Sequence, residues 1–232
     1  MLIERAAIRV LQHFKMEKQF GAKIKTSSNI PAARGLKSSS VAANATVVAT
    51  AAALGKPLDD LTAVSLGVDA AFDAKVTVTG AFDDACASYF GGAVITDNMK
   101  RKLVKRGTLP LGLSVLFYVP AGKSYTINSD VNRMVTMAPL VKVAYAEALK
   151  GNYWTALSLN GVIYSSALGY DASVAVDALN AGAVAAGLCG KGPSVTAVVA
   201  EEKIDAVKAA LQRHKGEVIQ SRFNHEKAKV VT

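Results

Sequence analysis

A serine-rich segment near the start of the chain has the composition of a phosphate-binding loop. Residues 30–40 read Ile-Pro-Ala-Ala-Arg-Gly-Leu-Lys-Ser-Ser-Ser, and an alanine-rich stretch with helical composition follows at once. Gly35 permits a tight backbone reversal in which amide N–H groups converge. The serines open a helix whose first N–H groups lack a partner within it and whose dipole favours an anion. The pattern favours phosphate binding, and an ordinary capped helix after a turn is the alternative.

Asp83 and Asp84 form an adjacent pair of carboxylates among small and apolar residues. Buried carboxylates need a cation, a metal or hydrogen-bond donors to offset their charge. One of them could act as a base or orient an attacking hydroxyl, because phosphoryl transfer requires Mg²⁺, a phosphate cradle and one well-placed carboxylate. Capping of a helix is the alternative interpretation of the pair.

A third segment, residues 185–194, is rich in glycine and contains Gly187, Gly190 and Gly192 around Lys191. Glycines allow a backbone to approach a ligand closely, and the lysine adds a cation. A tight connection between a helix and a strand would show the same composition. The co-occurrence of all three segments in this order favours the functional interpretation.

Two familiar nucleotide-binding motifs do not fit the chain. The Walker pattern fails at Gly122 and Lys123, because Phe117 stands where its first glycine belongs. The dinucleotide pattern fails at residues 187–192, which lie between a predicted helix and a predicted strand, the reverse of the required order.

Hydrophobic periodicity predicts the elements that must position these residues. Strands are predicted at residues 22–26, 93–96, 111–119, 195–200 and 217–221, and helices at 1–20, 41–54, 58–74, 83–90, 134–150, 153–167, 172–181 and 203–214. A change of pattern near Gly107 predicts two domains, 1–107 and 108–232, in an α+β protein whose second unit has an antiparallel sheet.

The composition excludes several classes of protein. The net charge is +9, which attracts anions, but no zinc-finger spacing or RNA-binding aromatic strand is found, so we expect no nucleic-acid partner. No apolar run reaches the roughly 18 residues of a membrane helix. The charged helix predicted at the N-terminus is unlike a signal peptide, and Cys86 and Cys189 are expected to be reduced thiols in a cytoplasmic protein.

Together the three segments resemble the GHMP kinase superfamily. Within it, residues 35–40, 79–85 and 160–171 are most similar to archaeal-type shikimate kinases, and the resemblance extends over nearly the whole chain. It implies the GHMP kinase fold, with a ribosomal-S5-like N-terminal domain and a ferredoxin-like C-terminal domain. It also implies ATP-dependent phosphorylation of the shikimate 3-hydroxyl to shikimate 3-phosphate, in chorismate and aromatic amino-acid biosynthesis.

The resemblance also implies roles for individual residues. Asp83 matches the catalytic aspartate when Asp-x-Ala is aligned, whereas counting back from the Gly91-Gly92 pair favours Asp84. Both remain candidates, and Asp83 is the preferred one. Ser39 and Asp73 match ligands of Mg²⁺. The ATP phosphates would be bound by Pro31, Ala32, Ala33, Arg34, Gly35, Leu36, Lys37, Ser38, Ser39, Ser40, Gly190 and Gly192.

Several alternatives remain open at this point. The acceptor could instead be homoserine or a mevalonate-like alcohol; Arg133 and Lys123 are candidates for a carboxylate clamp, with surface positions as the alternative. A basic nucleic-acid-binding module is a further possibility, and the sequence does not predict an oligomeric state. Related kinases begin with strands that supply a lysine and part of the nucleotide pocket, whereas residues 1–20 predict a helix. The chain is then truncated or its start misassigned, or other residues supply those contacts.

Overall fold

The computed structural model describes residues 1–77, 79–121 and 131–231, which form a mixture of helices and antiparallel strands. The strands are β1 (Ala93–Asp97), β2 (Lys102–Gly107), β3 (Leu113–Pro120), β4 (Ala185–Leu188), β5 (Val195–Ala200) and β6 (Gly216–Arg222). The helices are α1 (Leu2–His13), α2 (Ser38–Ala53), α3 (Asp60–Asp73), α4 (Phe82–Phe90), α5 (Val131–Thr136), α6 (Ala138–Lys150), α7 (Tyr153–Leu168), α8 (Ser173–Asn180) and α9 (Ile204–Gln212). Within these residues, no helix has the length and apolar character needed to cross a membrane.

The first of two compact units comprises residues 1–32, 37–108 and 224–232. Helices α1 to α4 pack around its core, and the β1–β2 hairpin adjoins α4. Helix α2 directs Ala43, Val47 and Ala51 into the core, because residues four apart lie on one face of a helix. Its small alanine side chains allow the neighbouring helices of the first unit, α4 among them, to approach closely.

The second unit comprises residues 33–36 and 109–223. Its antiparallel sheet has the strand order β4-β5-β3-β6, and the mostly apolar strand β3 lies between two partners. Helix α7 contacts β4 through two glycines: a Cβ added at Gly161 would lie 2.3 Å from the Gly187 Cα. Small residues on both elements are therefore required for this contact.

The structure differs from the sequence predictions in several elements. Strand β2 was not predicted, and the helix predicted at 1–20 ends at His13. The predicted strand at 22–26 is wrong, because residues 21–29 have no regular structure and no described residue pairs with them. The predicted helix at 134–150 is divided into α5 and α6, since Pro139 cannot donate the hydrogen bond that would continue the helix. Strand β4 was not predicted, because Ala-Ala-Gly-Leu contains no β-branched or aromatic residue.

The last described segment, from residue 224 onwards, belongs to the first unit, whereas the sequence assigned it to the second domain. The Gly92 N–H donates to the Asn224 carbonyl at 2.8 Å, and the Ala228 N–H donates to the Tyr89 carbonyl at 2.7 Å. These bonds join residues more than a hundred positions apart in sequence. Such pairing leaves no local pattern from which it could be predicted.

Candidate active site

The predicted phosphate loop has left-handed backbone conformations at alternate residues. The φ angles of Ala33, Gly35 and Lys37 are 57°, 83° and 61°, and Arg34 and Leu36 between them are not in this region. Alternation of this kind turns successive N–H groups toward one side and forms an anion-binding concavity. Pro31 and Ala32 lie directly before it. The loop contributes residues 33–36 to the second unit and Lys37–Ser40 to the first.

Helix α2 begins at Ser38, directly after this loop. The N–H groups of Ser40 and Val41 both donate to the Lys37 carbonyl, at 3.1 and 3.3 Å. Ser38 and Ser39 occupy the first two helical positions, where N–H groups have no acceptor within the helix. The Ser39 side chain is exposed. The start of α2 thus presents N–H groups and a hydroxyl where the helix dipole favours an anion.

Asp83 and Asp84 lie in the first turn of α4 and have different partners. The Lys37 ammonium Nζ is 3.3 Å from Asp84 Oδ2, and both side chains are largely buried, with 28% and 22% exposed. Asn98 holds Asp83 twice: its Oδ1 accepts from the Asp83 N–H at 3.0 Å, and its Nδ2 donates to Asp83 Oδ1 at 2.9 Å. Only Asp84 is therefore paired with a residue of the phosphate loop. Asn98 was not predicted from sequence.

Asn44 links α2 to α4 and was also not predicted. Its side chain is 3% exposed, and its Nδ2 donates to the Ala85 carbonyl and to Ser88 Oγ, both at 2.8 Å. A buried amide that forms hydrogen bonds with a neighbouring helix resists sliding of one helix along the other. Asn44 thereby helps to fix the distance between Lys37 and Asp84. A polar residue inside an alanine-rich apolar helix was the available sequence signal.

Asp73 has an arginine partner in the structure. Arg9 Nε lies 2.6 Å from Asp73 Oδ2 and Arg9 Nη2 lies 2.6 Å from Asp73 Oδ1, and this bidentate hydrogen bonding lowers the pKa of the carboxyl. The described residues contain no group of three or more His, Cys, Asp or Glu side chains that could hold a metal. Mg²⁺ keeps several waters and binds one or two carboxylates together with substrate phosphates, so such a cluster is not required. The metal role of Asp73 stays a prediction.

Substitution Asp73→Asn should separate the two roles. An aspartate whose pKa is lowered by folding contributes stability above its unfolded pKa, near about 4, and loses it as the pH falls through the folded value. We expect the variant to be less stable than the parent at pH 7, with a gap that closes in acid. Urea unfolding at several pH values measures this gap. Asp69→Asn, which removes the exposed pair with Arg101 at 2.7 Å, is the matched control.

The same variant tests the metal role through a second measurement. If Asp73 ligates Mg²⁺, the Mg²⁺ concentration for half-maximal activity must rise in Asp73→Asn and stay constant in Asp69→Asn. An unchanged Mg²⁺ dependence with reduced stability would contradict the predicted ligand and leave the ion pair as the function of this carboxylate.

The glycine-rich segment forms the loop between β4 and β5 and packs on part of the phosphate loop within the second unit. A Cβ added at Gly35 would lie 2.4 Å from the Gly192 carbonyl oxygen. Gly190 and Gly192 have φ angles of 61° and 74°. The Arg34 guanidinium donates to the Pro120 carbonyl at 2.6 Å. The structure thus brings the early and late glycines of the prediction together.

Arg133 and Lys123 were the candidates for a carboxylate clamp. Arg133 lies in α5, where its Nη2 is 3.4 Å from the Ser166 carbonyl oxygen. Lys123 lies outside the described residues. Their role in binding an acceptor stays a prediction.

Comparison with known proteins identifies related sequences. The family described as GHMP kinases N terminal domain matches residues 1–92. The shikimate kinase of Methanobrevibacter smithii is 44% identical, over 89% of this chain and 73% of that protein. The shikimate kinase of Methanothermobacter thermautotrophicus is 41% identical, over 99% of this chain and 80% of that protein.

Solved structures share the fold at low sequence identity. The mevalonate kinase of Methanococcus jannaschii matches with a TM-score of 0.73 and 20% identity, over 96% of this chain and 75% of that chain. A homoserine kinase from Cytophaga hutchinsonii matches with a TM-score of 0.67 and 20% identity, over 97% and 78%. The predicted α+β GHMP kinase fold is confirmed. The chain belongs to the archaeal-type shikimate kinases of the GHMP kinase superfamily.

Proposed function

We propose that this protein transfers the γ-phosphoryl group of ATP to the 3-hydroxyl of shikimate. A bond forms between the shikimate oxygen and the γ-phosphorus, the bond to the β-phosphate oxygen breaks, and shikimate 3-phosphate and ADP leave. The Lys37–Asp84 pair beside the first turn of α2 supports this chemistry. The choice of shikimate is supported by 44% identity to shikimate kinase over most of the chain. Reaction in the cytoplasm, where ATP is available, is part of the proposal.

The phosphate loop binds the triphosphate in this mechanism. The N–H groups of residues 35–39 would bind this anion, and the dipole of α2 would stabilise its charge. Lys37 adds a full positive charge beside the same turn. Ser39, and Asp73 if its predicted role holds, would offer the hard oxygen ligands that Mg²⁺ prefers, and the ion when bound would neutralise charge on the phosphates. These groups supply most of what phosphoryl transfer requires, because positioning and electrostatic stabilisation dominate its catalysis.

Asp84 is the carboxylate that we propose to accept the proton of the attacking hydroxyl. Lys37 holds its Oδ2 at 3.3 Å and thereby orients it toward the loop that binds the phosphates. Asp83, which the Asp-x-Ala alignment favours, is held instead by Asn98. We propose that this second carboxylate fixes the start of α4 and so positions its neighbour.

A panel of acceptors tests the substrate. Release of ADP should depend on shikimate and be absent with homoserine or mevalonate, because the chain is 44% and 41% identical to two shikimate kinases over most of its length. 3-Dehydroshikimate is a sharp control: a ketone replaces the accepting hydroxyl, so no phosphoryl transfer should occur. Phosphorus NMR of the product should show the phosphate on the 3-oxygen. A silent shikimate reaction beside an active homoserine reaction would overturn the proposed acceptor and leave the kinase chemistry intact.

A further inference from the structure

We infer that Cys189 and Ser194 are positioning residues for ATP, because they hold two successive peptide groups of the phosphate loop in the orientation that binds phosphate. The two residues flank the glycine-rich loop between β4 and β5. The inference rests on the proposed function and adds two side chains to its nucleotide site. Neither residue was among the predicted ligands.

The contacts are made by two neighbouring carbonyl groups. Ser194 Oγ donates to the Arg34 carbonyl oxygen, and Cys189 Sγ lies 3.3 Å from the Gly35 carbonyl oxygen, within the range of a thiol hydrogen bond. In a planar trans peptide the N–H group points opposite to the C=O group. Holding these two carbonyls therefore turns the N–H groups of Gly35 and Leu36 away from the β4–β5 loop.

Those two N–H groups have no protein acceptor among the described residues. Gly35 and Leu36 are only partly buried. Adjacent N–H groups that converge without a partner form the anion-binding arrangement of phosphate loops. The two side chains therefore act on the nucleotide indirectly, through the orientation of the backbone that contacts it.

The sheet of the second unit makes both donors rigid. Cys189 directly follows β4, and Ser194 directly precedes β5 and is fully buried. The Cys189 N–H donates to the Ser194 carbonyl at 2.8 Å and closes the loop at its base. Donors fixed in this way hold the carbonyls without losing side-chain freedom when ATP binds, which preserves affinity.

Calorimetric titration of the whole chain with ATP and, separately, with adenosine tests the inference. Ser194→Ala should weaken ATP binding about tenfold and Cys189→Ala roughly threefold, because one part-buried hydrogen bond is lost in each case and a thiol is the weaker donor. Cys189→Ser keeps a donor and should restore most of the affinity. Adenosine lacks phosphates, so its affinity should not change in any variant.

Ser114→Ala is the matched control. Ser114 is also a buried serine of the second unit, but it pairs with Val199 at the opposite end of β5 from Ser194. The Ser114→Ala variant should bind ATP and adenosine as tightly as the parent. Thermal unfolding of each variant reports whether the fold is retained. If Ser194→Ala does not fold, the comparison of Cys189→Ala with Cys189→Ser tests the inference instead.

The outcomes separate this inference from the proposed function. A parent chain that binds neither ligand would overturn the proposed function together with the inference. A parent that binds ATP, with folded variants that bind it equally well, would overturn the inference alone. Equal losses for ATP and adenosine would also overturn it, because general damage to the site would then explain the effect.

Discussion

Asp84→Asn should lower the turnover of ATP with shikimate by about a hundred- to ten-thousandfold, the range that a positioned proton acceptor contributes. The asparagine has nearly the same shape, and its amide oxygen can still accept from Lys37, which lies 3.3 Å from the carboxylate. It cannot accept the proton of the hydroxyl. We therefore expect kcat to fall while the dissociation constant for ATP changes only a few-fold. Steady-state kinetics and ATP titration measure the two quantities.

Asp83→Asn is the matched comparison on the neighbouring residue. Its backbone N–H still donates to Asn98 Oδ1, so the start of α4 should be retained. We expect a smaller loss of kcat, with a lower midpoint of urea unfolding. The opposite ranking would contradict the geometric assignment and support the Asp-x-Ala alignment. Two small effects would contradict a carboxylate base on α4 altogether.

Gly35→Ala should weaken ATP binding by more than about a hundredfold, because the loop must move to admit a methyl group. The added Cβ would lie 2.4 Å from the Gly192 carbonyl oxygen and 2.7 Å from its carbonyl carbon, both backbone atoms that no rotamer change can remove. The φ angle of +83° adds strain for any L side chain. ATP titration measures the loss, and urea unfolding measures the accompanying loss of stability.

Gly112→Ala is the control that introduces the backbone strain without the clash. Gly112 has the same φ of +83° and belongs to the same unit, but an added Cβ there would meet no atom within 4 Å. Strain alone costs roughly 1–2 kcal/mol per residue in the left-handed region. We expect Gly112→Ala to lose about this much stability and to bind ATP as tightly as the parent. An equal loss of ATP binding in both variants would show that close contact with Gly192 is not what the loop requires.

Local patterns predicted most helices and strands correctly. The alanine-rich run that follows three serines predicted α2, and the apolar runs at 111–119 and 195–200 predicted β3 and β5. These predictions succeeded because helix periodicity, capping residues and β-branched runs act between near neighbours. The strand at 22–26 failed because a strand is stable only when another strand pairs with it, and local sequence does not specify a partner.

The candidate site was predicted only as a set of residue types. The glycine and serine pattern indicated a loop able to bind phosphate. Asp83 and Asp84 were both indicated, and motif alignment preferred Asp83, whereas the geometry favours Asp84. Side chains distant in sequence make that distinction: Asn98 holds one carboxylate and Lys37 approaches the other. No spacing rule relates these residues.

The sequence by itself determined the family, the chemistry of the loop and the choice of two carboxylates, because each depends on residues a few positions apart. Only the tertiary structure decided that Asp84 pairs with Lys37 at the start of α2 and that Asp83 pairs with Asn98. It also decided that Asp73 pairs with Arg9. It also showed why Gly35 must remain glycine, through the approach of Gly192. The physical reason is that packing of the whole core sets distances between segments that are far apart in the chain.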